Sequence, residues 1–387
     1  MTRTGRLAAA AFTLYVVIGA TQAYYGPAIP SLRERFGITA AAAGLAVGTH
    51  FLGALAGVVC WGVLERRWSS RTLLVIADVL LAAGCALVAV ASTWELVLAA
   101  ILLIGLGFGG LDVGYNVVFS HAFGRRTPLL LNLLHACFGI GAILGPIVLS
   151  LAPAGDFRPA FLVSGAFAIV TAPLILAGPA PTAPQPATDE PVPRALRRRL
   201  AVFVALFVLY VGVETGIGGW APTHLAATGR TVTDAARWTA GFWAAFTAGR
   251  LLGAGLTVRV RSDRLVIGGL ACGAVCLLAA TRPGIAGMAY IAAGLALAPV
   301  FPTGVAWLSA ALPGVRSGTA TVLGGALLGG VTVPPLIGQV VNVAGPGVVP
   351  WLLAGVALVA TAVGLIVASD ARGDLRGPTA DVTTMQD

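Results

Sequence analysis

The chain has 387 residues, of which 58% are apolar and only 10% are charged, and its formal net charge is +9. A water-soluble globular protein carries roughly 25% charged residues, so the composition excludes that class and indicates a protein embedded in a membrane. A positive charge of this size in a soluble protein would suggest nucleic-acid binding, but in a membrane protein its position along the chain decides its meaning.

Twelve apolar segments, each long enough to cross a bilayer as a helix, predict an all-α membrane protein. In chain order these spans are 8–30, 40–63, 72–91, 96–120, 130–152, 159–178, 200–222, 237–257, 264–281, 285–311, 318–341 and 348–369. A transmembrane β-barrel is excluded, because its strands of about 10 residues would alternate polar and apolar side chains.

The basic residues predict the orientation in the membrane. All of them are arginines, and most fall in the segments that would be cytoplasmic if both termini lay inside. Because cytoplasmic loops carry an excess of basic residues, we expect a multi-pass protein of the cell membrane, the inner membrane in a bacterium, with both termini cytoplasmic. Arg250 lies deep within a span, whereas Arg237 and Arg264 stand at span ends and are counted with the loops.

A proline-rich segment divides the chain into two halves. Residues 179–193 contain six prolines, which favour an extended spacer over a helix. The pattern Arg-x-x-Ser-x-Arg follows the second span at Arg66 and the eighth span at Arg259, which indicates an internal repeat. We therefore predict a six-helix bundle over 1–178, a cytoplasmic linker over 179–199, a second six-helix bundle over 200–369 and a cytoplasmic tail over 370–387.

Two acids lie deepest in the predicted spans, Asp112 in the fourth and Glu214 in the seventh. A carboxylate in hydrocarbon is expensive and marks a functional site by default. An acid whose charge depends on local hydration suits coupling, because it can bind a proton or a sodium ion in one state and release it in the other. The alternative is a structural acid, which would tolerate replacement by its amide.

Amide and aromatic side chains near these acids are candidates for binding a polar solute. Asn116 lies one helical turn beyond Asp112, and Asn132 and His135 share one face of the fifth span. His135 has an alternative role as a bonding partner between helices, and the alternative for Trp220 is an aromatic belt at the membrane surface. The residues predicted to bind substrate are Gln22, Tyr25, Asn116, Asn132, His135 and Trp220.

Four motifs carry a resemblance to a known family. They are Gly-Leu-Asp112-Val-Gly-Tyr-Asn116, Asn132-Leu-Leu-His135-Ala-Cys-Phe-Gly139, Tyr210-Val-Gly-Val-Glu214 and Gly249-Arg250-Leu-Leu-Gly253. With the two halves, they resemble the major facilitator superfamily, and within it the branch of fucose–proton symporters and sodium-dependent glucose transporters. The resemblance implies two rocking bundles around a cavity lined by spans one, four, seven and ten.

The chain departs from the family pattern in two places. The loop after the second span has Arg66 where the family usually has Asp, so we expect Asp78 to substitute in the gate at the inside, together with Arg71. Ala23 stands where some fucose-type members carry an acid, so a relay of two acids in the first half is absent or altered. Arg250 is the third predicted gating residue. Its alternatives are to pair with a carboxylate in the cavity or to reach the membrane surface.

These features predict a secondary active transporter that works by alternating access. We expect a symporter that couples a proton or a sodium ion to a sugar or a similar neutral solute. A proton-coupled exporter of small apolar drugs or metabolites is the alternative, and it would favour a more aromatic cavity with fewer amides. No P-loop, metal-ligand cluster or nucleophile motif is present, so we expect no enzyme, no cofactor, no bound metal and no nucleic-acid partner. We expect a monomer in the lipid bilayer.

Overall fold

The computed structural model describes residues 2–152, 156–178, 194–256, 259–312 and 316–374, which fold almost entirely into α-helices. The first half consists of α1 (Arg3–Phe36), α2 (Ala40–Leu64), α3 (Ser70–Val90), α4 (Trp94–Ala122), α5 (Thr127–Leu151) and α6 (Arg158–Leu176). The second half consists of α7 (Arg194–Ala227), α8 (Val232–Leu256), α9 (Ser262–Ala279), α10 (Ala286–Leu297), α11 (Val300–Ala311), α12 (Arg316–Ala344) and α13 (Val349–Asp374). Most of the predicted linker (179–193) and the tail from 375 onward lie outside the described residues.

Among the described residues, eleven segments are helical, long and apolar enough to cross a membrane, with α10 and α11 together forming one of them. Helix α8 is not among the eleven; its 25 residues include Asp234, Arg237 and Arg250, and it supplies the eighth of the predicted spans. The prediction of an all-α membrane protein is confirmed.

Local chemistry explains where several helices begin and where one is broken. The side chains of Thr39, Ser69 and Thr93 accept hydrogen bonds from the first backbone N–H groups of α2, α3 and α4. The tenth predicted span is interrupted at Pro299, which cannot donate the backbone hydrogen bond that would continue the helix. In contrast, α12 continues as one helix through Pro334 and Pro335.

Most helix packing occurs within each half of the chain, and each half has a large apolar core. The halves meet where α1 contacts α7, α2 contacts α12 and α5 contacts α8. We call the membrane side on which α1 begins the terminal face, and the side on which it ends the opposite face. An even number of spans returns the described end of the chain to the terminal face.

The contacts between the halves are closest near the opposite face, where glycines bring backbones together. A Cβ atom added at Gly26 of α1 would overlap the carbonyl oxygen of Gly218 in α7. A Cβ atom at Gly44 of α2 would lie 3.2 Å from the carbonyl oxygen of Pro334 and 3.4 Å from the Cα atom of Gly338, both in α12. The opposite face is therefore closed.

Polar side chains nearer the terminal face keep accessible surface. Asp112 and Asn116 are half-buried and His135 is exposed. The side chain of Arg250 is 30% exposed. The conformation is therefore one in which the centre of the molecule opens toward the terminal face.

Candidate functional site

Asp112 lies inside the first half, hydrogen-bonded between α4 and α1. The hydroxyl of Tyr15 donates to Asp112 Oδ1 at 2.9 Å and to the carbonyl oxygen of Asp112 at 3.2 Å. Asn116 Nδ2 donates to the hydroxyl of Tyr15 at 3.0 Å and to the carbonyl oxygen of Asp112 at 2.8 Å. We call these three residues the acid cluster. Its donors compensate the loss of hydration at the carboxylate, so this acid points into the protein and not into lipid.

Helix α5 adds His135 to the edge of the acid cluster. The imidazole ring meets the ring of Tyr15 edge-on, with the ring centroids 5.8 Å apart. The ring also interacts electrostatically with Asp112 and with Arg250. Asn132, one turn nearer the terminal face, is exposed, and it takes part in none of the hydrogen bonds of the acid cluster. The structure therefore brings His135, but not Asn132, to the acid of the first half.

The second half places an ion pair opposite the acid cluster. Arg250 Nη2 of α8 lies 3.8 Å from Glu214 Oε1 of α7, and the side chain of Glu214 is only 10% exposed. The guanidinium carbon of Arg250 also lies 4.4 Å from the centre of the Phe246 ring, a cation–π contact. The hydroxyl of Tyr210 lies near both charges. Arg250 is thus turned toward a carboxylate in the interior and away from the membrane surface.

The crossing of α5 and α8 brings the acid cluster and the Arg250–Glu214 ion pair together. A Cβ atom at Gly139 of α5 would lie 2.5 Å from the Cγ2 atom of Thr247 in α8, so only glycine permits this approach. His135 lies one turn from Gly139, and Arg250 lies one turn from Thr247, both on the terminal side of the crossing. His135 and Arg250 therefore stand next to each other across the boundary between the halves.

Gln22 and Tyr25 line a narrow cleft between the halves, on the side of the acid cluster that faces the opposite face. The hydroxyl of Tyr25 and Nδ1 of His50 are 3.1 Å apart, within hydrogen-bond distance. His50 is fully buried, with its ring 4.9 Å from that of Phe108. The structure therefore brings Gln22 and Tyr25 together, and it gives His50 a role in holding Tyr25.

Three predicted site residues lie outside the acid cluster, the Arg250–Glu214 ion pair and the cleft. Trp220 is fully buried, and its indole N–H donates to the carbonyl oxygen of Pro334 at 2.8 Å, so it does not belong to an aromatic belt at the lipid surface. It does not line the cleft either. Arg71 Nη2 donates to the carbonyl oxygen of Gly178 at 2.6 Å, beyond the end of α6. The carboxylate of Asp78 accepts from the hydroxyl of Thr171, also in α6, at 3.3 Å. In this conformation Arg71 and Asp78 bind α3 to α6 and to the residues just beyond its end.

Sequence reasoning missed Tyr15, Tyr210 and Trp243, the last of which also lines the cleft. A signal was present in each case. Tyr15 precedes Gln22 by seven residues, Trp243 precedes Arg250 by seven, and Tyr210 precedes Glu214 by four, so each shares a helix face with a predicted residue. Among the described residues, no group of three or more His, Cys, Asp and Glu side chains could hold a metal ion.

Comparison with known proteins identifies the family. The sequence model of the protein family described as "Major Facilitator Superfamily" matches residues 11–292 of this chain. The chain belongs to the major facilitator superfamily. The prediction that the protein is a transporter and not an enzyme is confirmed, since the related proteins are transporters.

Two relatives and one solved structure illustrate the similarity. The chain is 30% identical to the sodium-dependent glucose transporter 1 of Rattus norvegicus over 138 residues, which are 36% of this chain and 28% of that relative's length. It is 30% identical to a glucose/galactose transporter of Brucella abortus over 73% of this chain and 75% of that relative. A crystal structure of a D-xylose–proton symporter superposes with a TM-score of 0.79 at 16% identity, covering 93% of this chain and 96% of that one. The names of the relatives confirm the branch to which the four motifs pointed.

Proposed function

We propose that this transporter is a proton-coupled symporter of a neutral sugar, and that Asp112 carries the coupled proton. The observation that carries the proposal is the position of the acid cluster. It lies at the boundary between the halves, on the side that is open in this conformation, and it faces the Arg250–Glu214 pair. An acid in such a place exchanges protons with water on one side of the membrane only.

The chemistry around Asp112 favours a proton over sodium. A sodium ion needs several oxygen ligands, and in transporters unwound helices expose backbone carbonyls that supply them. Helix α4 is continuous from Trp94 to Ala122. The carbonyl oxygen of Asp112 already accepts from Tyr15 and Asn116, and both groups are donors that would point toward an incoming cation. A proton needs one lone pair of the carboxylate, which this arrangement leaves free.

Glu214 and Arg250 would link the charge of Asp112 to the movement of the halves. When the terminal side closes, the crossing of α5 and α8 brings Arg250 closer to the first half. An ionised Asp112 then competes with Glu214 for Arg250, whereas a protonated Asp112 leaves the pair of the second half intact. Arg71 and Asp78 would serve the gate indirectly, because they keep α3 fixed to α6 as the first half moves.

The polar groups around the central cavity suit a neutral sugar. Asn116, His135, Gln22 and Tyr25 offer amide, imidazole and hydroxyl groups that match the donors and acceptors of sugar hydroxyls. Asn132, nearest the terminal face, would contact the solute last as it leaves toward that side. Relatives named as glucose and glucose/galactose transporters support this substrate class. For Trp220 we propose a supporting contact behind the site, since Pro334 holds its indole.

The setting of the protein follows from charge and topology. The excess of arginine supports a cytoplasmic terminal face and a location in the cell membrane. One chain supplies both halves of the site, so we propose that the monomer transports.

Uptake into proteoliposomes tests the function. Radiolabelled D-glucose and D-galactose are offered under an inward pH gradient without sodium, and separately under an inward sodium gradient at equal pH. We expect accumulation with the pH gradient alone. Accumulation that requires sodium would refute proton coupling, and no accumulation of either sugar under either gradient would refute sugar symport.

A further inference from the structure

The cleft next to the acid cluster has an uncharged lining, of which the proposed function uses only Gln22 and Tyr25. Gln22 and Tyr25 line it from α1, Thr215 lines it from α7 and Trp243 lines it from α8. Glycines of α1 and α7 form much of the remaining wall. The cleft therefore combines an amide, two hydroxyls and an indole, drawn from both halves of the molecule.

Trp243 is the unusual member of this lining. It is 2% exposed, and its indole N–H has no hydrogen-bond partner among the described residues. A buried donor without a partner is destabilising, so native proteins rarely retain one without a reason. The buried indole of Trp220, on the neighbouring helix, has found a partner in the carbonyl oxygen of Pro334. Of the residues that line the cleft, Trp243 is the one with a buried side-chain donor that has no partner among the described residues.

The neighbouring helix is adapted to this tryptophan. A Cβ atom at Gly218 of α7 would lie 2.9 Å from Cζ2 of Trp243, so the glycine makes room for the indole. The aromatic contacts of Trp243 to Phe242 and Phe246, with centroids 5.0 Å and 5.7 Å apart, fix it from the other side. The ring is therefore held in place before any ligand arrives.

We propose that Trp243 binds the ring of the transported sugar, a role that rests on the proposed function and adds a specific subsite to it. The indole N–H donates to a sugar hydroxyl, and the face of the indole packs against the C–H groups of the ring. Gln22 and Tyr25 bind hydroxyls on the other side of the cleft. Because this lining carries no formal charge, the subsite selects a neutral polyhydroxylated ring and discriminates against phosphorylated sugars. The cleft is narrow while the opposite face is closed, so it widens to admit the ring as α1 and α7 separate.

Equilibrium binding of radiolabelled D-glucose to the purified protein in detergent tests the subsite. Trp243→Phe keeps an aromatic ring and removes the donor, so we expect affinity to fall about tenfold, the effect of one hydrogen bond. Trp243→Ala should abolish measurable binding. Unlabelled D-galactose should displace the label in wild type, and D-glucose 6-phosphate should not.

Trp94→Phe is the matched control. Trp94 is also buried with an unpartnered indole N–H, but it packs against Phe36 at the end of α1, away from the cleft. We expect wild-type affinity in this variant. Size-exclusion chromatography and thermal stability identify any Trp243 variant that fails to fold, and Gln22→Leu, on the other wall of the cleft, then carries the test with a similar expected loss.

The outcomes separate the two proposals. Equal D-glucose affinity in wild type and in a folded Trp243→Phe, or in Gln22→Leu where that variant carries the test, would overturn the subsite and leave sugar symport standing. Equal losses in Trp243→Phe and Trp94→Phe would also overturn it. A wild-type protein that binds neither D-glucose nor D-galactose would overturn the proposed function and the subsite with it.

Discussion

Gly26→Ala should shift the protein away from the conformation that is closed at the opposite face. The added Cβ would overlap the carbonyl oxygen of Gly218 and lie 3.1 Å from that of Gly219. To restore an ordinary contact, α1 and α7 would have to separate by about 1 Å or more. Because the two helices belong to different halves, this separation moves the halves apart at the opposite face.

The size of the expected shift in Gly26→Ala follows from the free-energy cost of overpacking. An extra methyl group in a well-packed contact destabilises by about 1–3 kcal/mol. Here only the conformation closed at the opposite face is affected, so the ratio of closed to open molecules should fall about 5- to 150-fold.

Two further variants separate a conformational shift from general damage. A Cβ atom at Gly141 of α5 would overlap the carbonyl oxygen of Val16 in α1 in the same way, but both residues belong to the first half. Gly141→Ala should therefore lower thermal stability without changing the conformational ratio. Gly62→Ala should leave the conformational ratio unchanged, because nothing lies within 4 Å of the added atom, and it should not lower thermal stability, because alanine favours the helix of α2 more than glycine does.

Spin-label distances between Glu34, at the end of α1, and Val232, at the start of α8, report the opening. Both side chains are exposed at the opposite face, and the labels are introduced in a background without the five native cysteines. We expect a longer distance population to dominate in Gly26→Ala. An unchanged distance distribution, or the same change in Gly141→Ala, would refute the reasoning.

Three other variants probe the site. Glu214→Gln leaves Arg250 without its carboxylate, so melting temperature and sugar uptake should both fall. The double variant Glu214→Gln with Arg250→Gln should regain melting temperature, whereas no loss of either property in the single variant would contradict the ion pair. Gly139→Ala should slow sugar uptake because the added methyl group pushes α5 away from α8, and adding Thr247→Ala should restore the rate. Equal uptake rates in the single and double variants would contradict the close contact of α5 with α8. Tyr15→Phe removes a donor to the acid, so accumulation driven by a pH gradient should fall several-fold while exchange of sugar persists, and full accumulation would exclude Tyr15 from coupling.

The sequence predicted the helices well because each is determined locally. Length and apolar content define the spans, and Thr39, Ser69 and Thr93 mark starts that a capping rule anticipates. The proximity of Asp112 and Asn116 also follows from helical spacing alone. These features need no knowledge of how one helix packs on another.

Contacts between helices were much harder to predict. Tyr15 meets Asp112 although 97 residues separate them, and no spacing rule connects the two. Trp220 is interior because Gly44 and Gly338 leave room for its ring, which depends on the packing of α2 against α12. The pairing of Arg250 with Glu214 was one of several alternatives, and only the arrangement of α7 and α8 selects it.

Parallel assays of accumulation and exchange in Asp112→Asn test proton coupling most directly. In proteoliposomes, wild type should accumulate labelled D-glucose under an inward pH gradient, and Asp112→Asn should not. The variant should still exchange labelled for unlabelled sugar, while Asp234→Asn, a surface acid paired with Arg237 at 3.6 Å, should behave as wild type in both assays. Wild-type accumulation in Asp112→Asn would show that another group carries the proton.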